Sequence, residues 1–184
     1  MKTLKQSLLI TLFLSLILCG VYPLAVTGFG YLFFKEKTTG SFIKKDGKII
    51  GSLLIGQNFT DPKYFYPRPS SSGSGYDGAN SSGSNLGPTS KKLEEKIKND
   101  LVKFEQKNLK TPTELVTASA SGLDPHISPK AALFQAKRVA EARNIPIDTV
   151  KKIINEKTQK PFLNLFGKPT VNVLELNLAL DALK

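Results

Sequence analysis

The chain has 184 residues, a formal net charge of +11 and a pI of about 9.7. It contains one Cys, one His and no Trp. A single Cys forms no intramolecular disulfide, and one Cys with one His is too few for a Cys/His zinc centre. The composition therefore excludes a disulfide scaffold and a zinc-finger type of protein.

The first predicted element is a membrane helix at the N-terminus. No Asp, Glu, Lys, Arg or His lies between Lys5 and Lys35, and the intervening residues are mostly apolar. A bilayer core about 30 Å thick is crossed by about 20 helical residues. We therefore predict a membrane anchor over residues 1–36, with a transmembrane helix at about 7–34, and one soluble domain over residues 37–184.

A cleaved secretory signal is the alternative, because Lys2 and Lys5 precede the apolar run. The run is longer than a signal h-region of about 7–15 residues, and no clear small-x-small cleavage site precedes the soluble part. An uncleaved anchor is therefore favoured. Charge leaves the orientation open, because lysines lie on both sides of the span and long domains translocate largely regardless of charge.

The soluble domain begins with a predicted β-hairpin. Asp46-Gly47 stands between apolar pairs, and Asp-Gly favours the positive φ of a two-residue hairpin turn. The second strand is predicted over about Lys48–Ile55. Further on, residues 70–89 hold seven Ser and five Gly, a composition typical of a flexible linker. A linker of about 20 residues inside a domain is unusual unless it is functional, so we expect this segment to dock onto something.

The rest of the chain is predicted to be mainly helical. Helix starts, breaks and apolar spacing place four helices, and Leu133, Ala136 and Val139 are expected to face inward. The last helix is apolar on more than one face, so it should be buried. The predicted elements are helices over about 90–107, 128–143, from 146, and 174–183, and a strand over Leu115–Ser119.

These elements define an α+β fold class. It comprises one N-terminal transmembrane helix followed by a single mixed α/β soluble domain. That domain has a β-hairpin, a long Ser/Gly-rich loop and about four helices.

One weak catalytic pattern surrounds the only histidine. Ser119, Ser121, Asp124 and His126 are close in sequence and are the residue types of a nucleophilic triad. Triad members usually come from separate elements, and no G-x-S-x-G turn is present. A turn in which Asp124 and the serine hydroxyls bond the backbone is favoured. A membrane-anchored serine hydrolase using His126 and a basic extracytoplasmic binding module for anionic polymers are the alternatives.

Six blocks of the sequence are distinctive in order and spacing. They are Gly51–Gln57, Tyr64–Ser70, Gly83–Thr89, Val116–Ser128, Gln135 with Arg138–Ala140, and Val171–Asn177. With the N-terminal span, they resemble the C subunit of the Kdp-type potassium-transporting ATPase nearly from end to end.

The resemblance implies a non-catalytic accessory subunit of a high-affinity, ATP-driven potassium uptake pump, needed for assembly or activity. Its implied partners are a channel-like potassium-translocating subunit, a P-type ATPase subunit and the membrane, and no nucleic acid. It implies that the chain has no cofactor of its own and that ATP is bound, if at all, through the complex. As a catalytic chaperone, the subunit would raise the affinity of the ATPase subunit for ATP. It also implies the cytoplasmic membrane, with the N-terminus inside and the soluble domain outside.

The resemblance further implies that Gln135 contacts nucleotide. Because Gln135 lies in a predicted helix without a phosphate-binding loop, a packing or capping role is our favoured interpretation. Eleven residues of the matching blocks are candidate interface residues. They are Tyr64, Phe65, Arg68, Ser84, Asn85, Leu86, Ser121, Asp124, His126, Asn172 and Asn177.

Overall fold

The computed structural model describes residues 2–104, 110–163 and 165–183. The chain divides into two compact units, and the division falls after Phe42. The first unit consists of helices: α1 (Lys2–Leu16), a π-helical turn (Ile17–Val21), α2 (Tyr22–Phe33) and the short α3 (Lys35–Thr38).

The first three of these segments form one continuous apolar helix, Lys2–Phe33, and none of its residues is buried. It is long and apolar enough to cross a membrane, as the sequence predicts. The π-helical turn lies just before Pro23, where the Tyr22 N–H donates to the carbonyl of Ile17, five residues back. Proline has no N–H and crowds the preceding turn, and the wider turn accommodates it without ending the helix.

The second unit contains two small sheets and four longer helices. A two-stranded sheet pairs β1 (Phe42–Lys45) with β2 (Lys48–Ser52), joined by Asp46 and Gly47 with φ of +52° and +76°. This is the predicted hairpin, with β2 ending three residues earlier than expected. The helices are α4 (Lys91–Lys103), α5 (Pro129–Arg143), α6 (Ile147–Lys157) and α7 (Val173–Asp181).

The second sheet was not predicted. Its strands β3 (His126–Ile127), β4 (Thr158–Gln159) and β5 (Thr170–Asn172) lie in the order β3-β5-β4, and both pairs are antiparallel. Strands of two or three residues are too short to show an alternating pattern. The core gathers side chains from α5, α6, α7 and β5 around Phe65 and Leu115.

Two predictions about individual elements are wrong. Leu115–Ser119 is not a strand, because a 3-10 helix occupies Thr113–Leu115 after Pro112, and the Val116 N–H donates to the Thr113 carbonyl at 3.1 Å. Leu133 is exposed. Ala136 and Val139 are buried, as predicted. The buried face of α5 also includes the polar Gln135, which apolar spacing does not indicate.

The Ser/Gly-rich segment is a packed loop, not a flexible linker. Ser70 Oγ donates to the Gly122 carbonyl at 2.6 Å, and Ser81 Oγ donates to the Ser121 carbonyl at 3.0 Å. Gly122 has a φ of +67°, and a Cβ there would lie 2.8 Å from the Ser72 nitrogen. The predicted docking is therefore onto the domain's own turn at residues 119–124, where only glycine allows this close approach.

Candidate functional site

Two buried side-chain amides hold the aromatic segment that follows the hairpin. Asn177 Oδ1 accepts from the Phe65 N–H at 2.8 Å, and Asn177 Nδ2 donates to the Phe65 carbonyl at 3.1 Å. Gln135 pairs with Tyr66 in the same way, at 2.8 and 3.0 Å. Each amide satisfies both backbone groups of one residue, as a neighbouring strand would. We call these four residues the amide clamp.

Arg138 extends the clamp on its outer side. Its guanidinium donates to Gln135 Oε1 at 2.7 Å and to the Tyr64 carbonyl at 3.0 Å. The guanidinium carbon lies 3.9 Å from the centroid of the Tyr66 ring, a cation–π geometry. Burial lowers the pKa of the Arg138 guanidinium from its ordinary value. The cation is therefore partly desolvated, and the ring and carbonyls replace part of its water shell.

Tyr64 is fixed by a charged pair from two helices. The Tyr64 hydroxyl donates to the Asp181 carboxylate at 3.1 Å, and Arg143 of α5 reaches the same carboxylate at 2.7 Å. Partial burial, followed by the Asp181 charge, raises the pKa of Tyr64. The hydroxyl thus stays protonated as a hydrogen-bond donor at neutral pH.

An ion pair joins the aromatic segment to the turn around the histidine. Arg68 Nη1 lies 3.1 Å from Asp124 Oδ2, and Asp124 Oδ1 accepts from the His126 N–H at 3.0 Å. The Tyr76 hydroxyl donates to the Arg68 carbonyl. Burial, together with the carboxylates of Asp100 and Asp124, raises the pKa of Tyr76 well above its usual range.

A cavity of about 520 Å³ opens beside this ion pair. Aromatic and proline side chains line much of it, and its ionisable residues include Arg68, Asp100 and Lys103. The Asp100 side chain is 10% exposed, and its Oδ1 pairs with Lys103 at 2.7 Å. Within the part of the chain that the structure describes, Asp100 Oδ2 and Arg68 Nε are buried without a hydrogen-bond partner. The cavity is of ordinary ligand size, and these two unpartnered polar atoms belong to residues that line it.

The contacts around His126 are those of a structural turn. His126 Nδ1 lies 3.8 Å from Asp124 Oδ1. Ser121 Oγ accepts from the Leu123 N–H at 3.1 Å and lies 3.3 Å from Ser119 Oγ. Among the described residues, no hydrogen bond connects a serine hydroxyl to the His126 imidazole, which is the contact that nucleophilic catalysis needs.

This domain has clear relatives among known proteins. A family model described as "KdpC: K+-transporting ATPase, c chain" matches residues 4–182. A protein of Rhodopseudomonas palustris, named "Potassium-transporting ATPase KdpC subunit", is 50% identical over 99% of this chain and 98% of its own length. The protein of that name from Mycobacterium tuberculosis is 48% identical over 99% of each chain. The chain belongs to the KdpC family.

The candidate interface residues of this KdpC-family chain divide by burial. Phe65, Asn172 and Asn177 are inside the domain. Asn172 caps α7 by accepting from the Glu175 N–H at 3.2 Å, and it donates to the Leu53 carbonyl at 2.9 Å. The candidates that are partly or fully accessible are Tyr64, Arg68, Ser84, Asn85, Leu86, Ser121, Asp124 and His126.

The accessible candidates form two groups. Arg68 connects the aromatic segment to Asp124 and its turn. Ser84 and Leu86 instead line a groove against Lys92 of α4. The sequence analysis named these candidates as one set, and the structure places them at two different surfaces of the domain.

Several residues of the site were not named as candidates in the sequence analysis, among them Tyr76, Asp100 and Arg138. Tyr76 is the only aromatic residue in the Ser/Gly-rich run, which was a usable signal. Asp100 lies three residues after Ile97 on the apolar side of α4, an unusual place for a carboxylate. Arg138 lies three residues after Gln135, within reach on the same helix.

We expect the clamp to account for much of the domain's stability. Asn177→Leu leaves the Phe65 N–H and carbonyl buried without partners, and each lost partner costs about 1–3 kcal/mol. The free energy of unfolding should fall by roughly 2–4 kcal/mol, measured by denaturant titration of the full chain in detergent.

Asn155→Leu is the matched control, because Asn155 is exposed on α6. Its effect should stay within about 0.5 kcal/mol. Equal effects of the two substitutions would contradict the role of the clamp.

Proposed function

We propose that this chain is a non-catalytic accessory subunit of a high-affinity, ATP-driven potassium uptake pump and is needed for the assembly or activity of that pump. The family match over nearly the whole chain carries the proposal. Its partners would be a channel-like potassium-translocating subunit and a P-type ATPase subunit. The exposed apolar helix supports a place among membrane-spanning subunits.

The soluble domain would act by presenting a fixed surface to these partners. The amide clamp holds an extended segment in one position. Arg68 belongs to that segment, and the Tyr76 hydroxyl donates to the Arg68 carbonyl. The neighbouring cavity, which Arg68, Tyr76 and Asp100 help to line, would receive a partner side chain. Partner side chains bind best to such preorganised, partly desolvated pockets.

The subunit would raise the ATP affinity of the ATPase subunit indirectly. Gln135 is fully buried and both its amide atoms bond to Tyr66, so a nucleotide contact would have to open the clamp. We therefore assign Gln135 a packing role. A subunit that binds best to the ATP-binding conformation of the pump raises ATP affinity without contacting ATP. By linkage, ATP then tightens the binding of the subunit to the pump by the same factor.

Loss of the gene should abolish growth at limiting potassium, because the pump would lack a required subunit. Uptake of potassium by cells that lack other transporters measures this directly. The wild-type gene should restore uptake, and so should His126→Ala, which removes the only candidate catalytic base. Unchanged uptake in the deletion strain would refute the proposed function, and failure of His126→Ala alone would favour the hydrolase alternative.

The soluble domain is proposed to lie outside the cytoplasmic membrane, with the N-terminus inside. The short N-terminal segment carries only Lys2 and Lys5, and such a segment commonly stays on the cytoplasmic side. Protease added to intact spheroplasts should therefore digest residues 43–184, detected with an antibody to the domain. Digestion only after the spheroplasts are opened would show that the domain lies inside the cytoplasmic membrane.

A further inference from the structure

An exposed apolar loop between β4 and β5 has no role in the site described above. Phe162, Leu163, Leu165 and Phe166 are each between 68% and 76% exposed. Among the described residues after Phe42, no other segment exposes four large apolar side chains within five positions. We call these four residues the apolar loop. Exposed apolar groups of this density mark a contact surface.

The backbone of the apolar loop pairs with itself. Phe162 and Phe166 form an antiparallel bridge, and the N–H groups of Leu165 and Phe166 donate to the Phe162 carbonyl at 3.1 and 3.2 Å. Leu163 has a φ of +53°. A bulky residue in this left-handed region is under strain, which is typical of functional segments. Internal pairing of N–H groups is what an apolar medium requires of a backbone that enters it.

The charges beside the loop favour lipid over protein as its partner. Lys157 and Lys160 precede the loop, Lys168 follows it, and no Asp or Glu occurs between Glu156 and Glu175. Lysine is depleted at protein–protein interfaces. Anionic headgroups, in contrast, attract lysine, whose long stem lets the ammonium group remain in the headgroup layer.

We propose that the apolar loop is a second membrane contact of this chain. Its four side chains enter the interfacial layer of an anionic bilayer, and the flanking lysines bind the headgroup phosphates. The domain is covalently joined to the apolar helix, so the loop meets lipid at high effective concentration, and a small apolar surface is enough. The inference requires the membrane anchor but not the role in the pump.

Fluorescence of the full chain tests this contact, because the protein has no Trp. Phe162→Trp places a single indole in the apolar loop, and Val102→Trp places one at a position of α4 that is equally exposed, at 72%. Both variants are reconstituted into vesicles of phosphatidylcholine and phosphatidylglycerol, with and without brominated phosphatidylcholine. Brominated lipid should remove most of the emission of Trp at 162 and little of that at 102.

Charge reversal checks the role of the lysines. Lys160→Glu with Lys168→Glu in the Phe162→Trp chain should reduce the quenching, and vesicles without phosphatidylglycerol should do the same. Phe166→Trp is the second probe, in case Phe162→Trp perturbs the loop.

Two outcomes would overturn the proposal. In the first, aqueous iodide quenches Trp at 162 and at 166, and brominated lipid quenches these residues no more than it quenches Trp at 102. In the second, shielding from iodide appears only when the other pump subunits are reconstituted with the chain, which would make the loop a protein contact.

Discussion

The pairing of two buried amides with an extended backbone organises this domain. Asn177 on α7 and Gln135 on α5 satisfy both backbone groups of Phe65 and Tyr66. The segment has no regular structure of its own, so without these amides its buried N–H and carbonyl groups would lack partners. The Phe65 side chain can then fill the core between the same helices. A polar interaction thus decides where an apolar side chain packs.

The surface features follow from that fixed segment. Arg68 is two residues beyond the clamp, which places its guanidinium beside Asp124. Tyr76 then returns to the Arg68 carbonyl and brings the Ser/Gly-rich loop onto the turn at Gly122. The cavity that Arg68, Tyr76 and Asp100 help to line lies at this junction. In the proposed function, this junction would be the contact surface for the partner chains.

The elements that depend on local chemistry could be predicted from the sequence. The apolar helix, the Asp46-Gly47 hairpin and the helix that begins at Ser128-Pro129 all follow from residue type and spacing. The short strands and the pairing of Gln135 with Tyr66 could not, because they depend on contacts between residues far apart in sequence. Composition likewise predicted a flexible linker at residues 70–89, where hydrogen bonds to Gly122 and Ser121 instead hold a packed loop. Family resemblance supplied the proposed function, and the residues alone predicted only a membrane anchor.

The amide clamp holds the Phe65–Tyr66 backbone in the core by pairing with its N–H and carbonyl groups. Hydrogen exchange of these two amides in the full chain tests it most directly, since a buried, paired N–H exchanges only when the structure around it opens. The amides of Phe65 and Tyr66 should exchange as slowly as those of the buried residues of α5, and Asn177→Leu should accelerate Phe65. Exchange of both amides at the rate expected for an unstructured chain would contradict this role of the clamp.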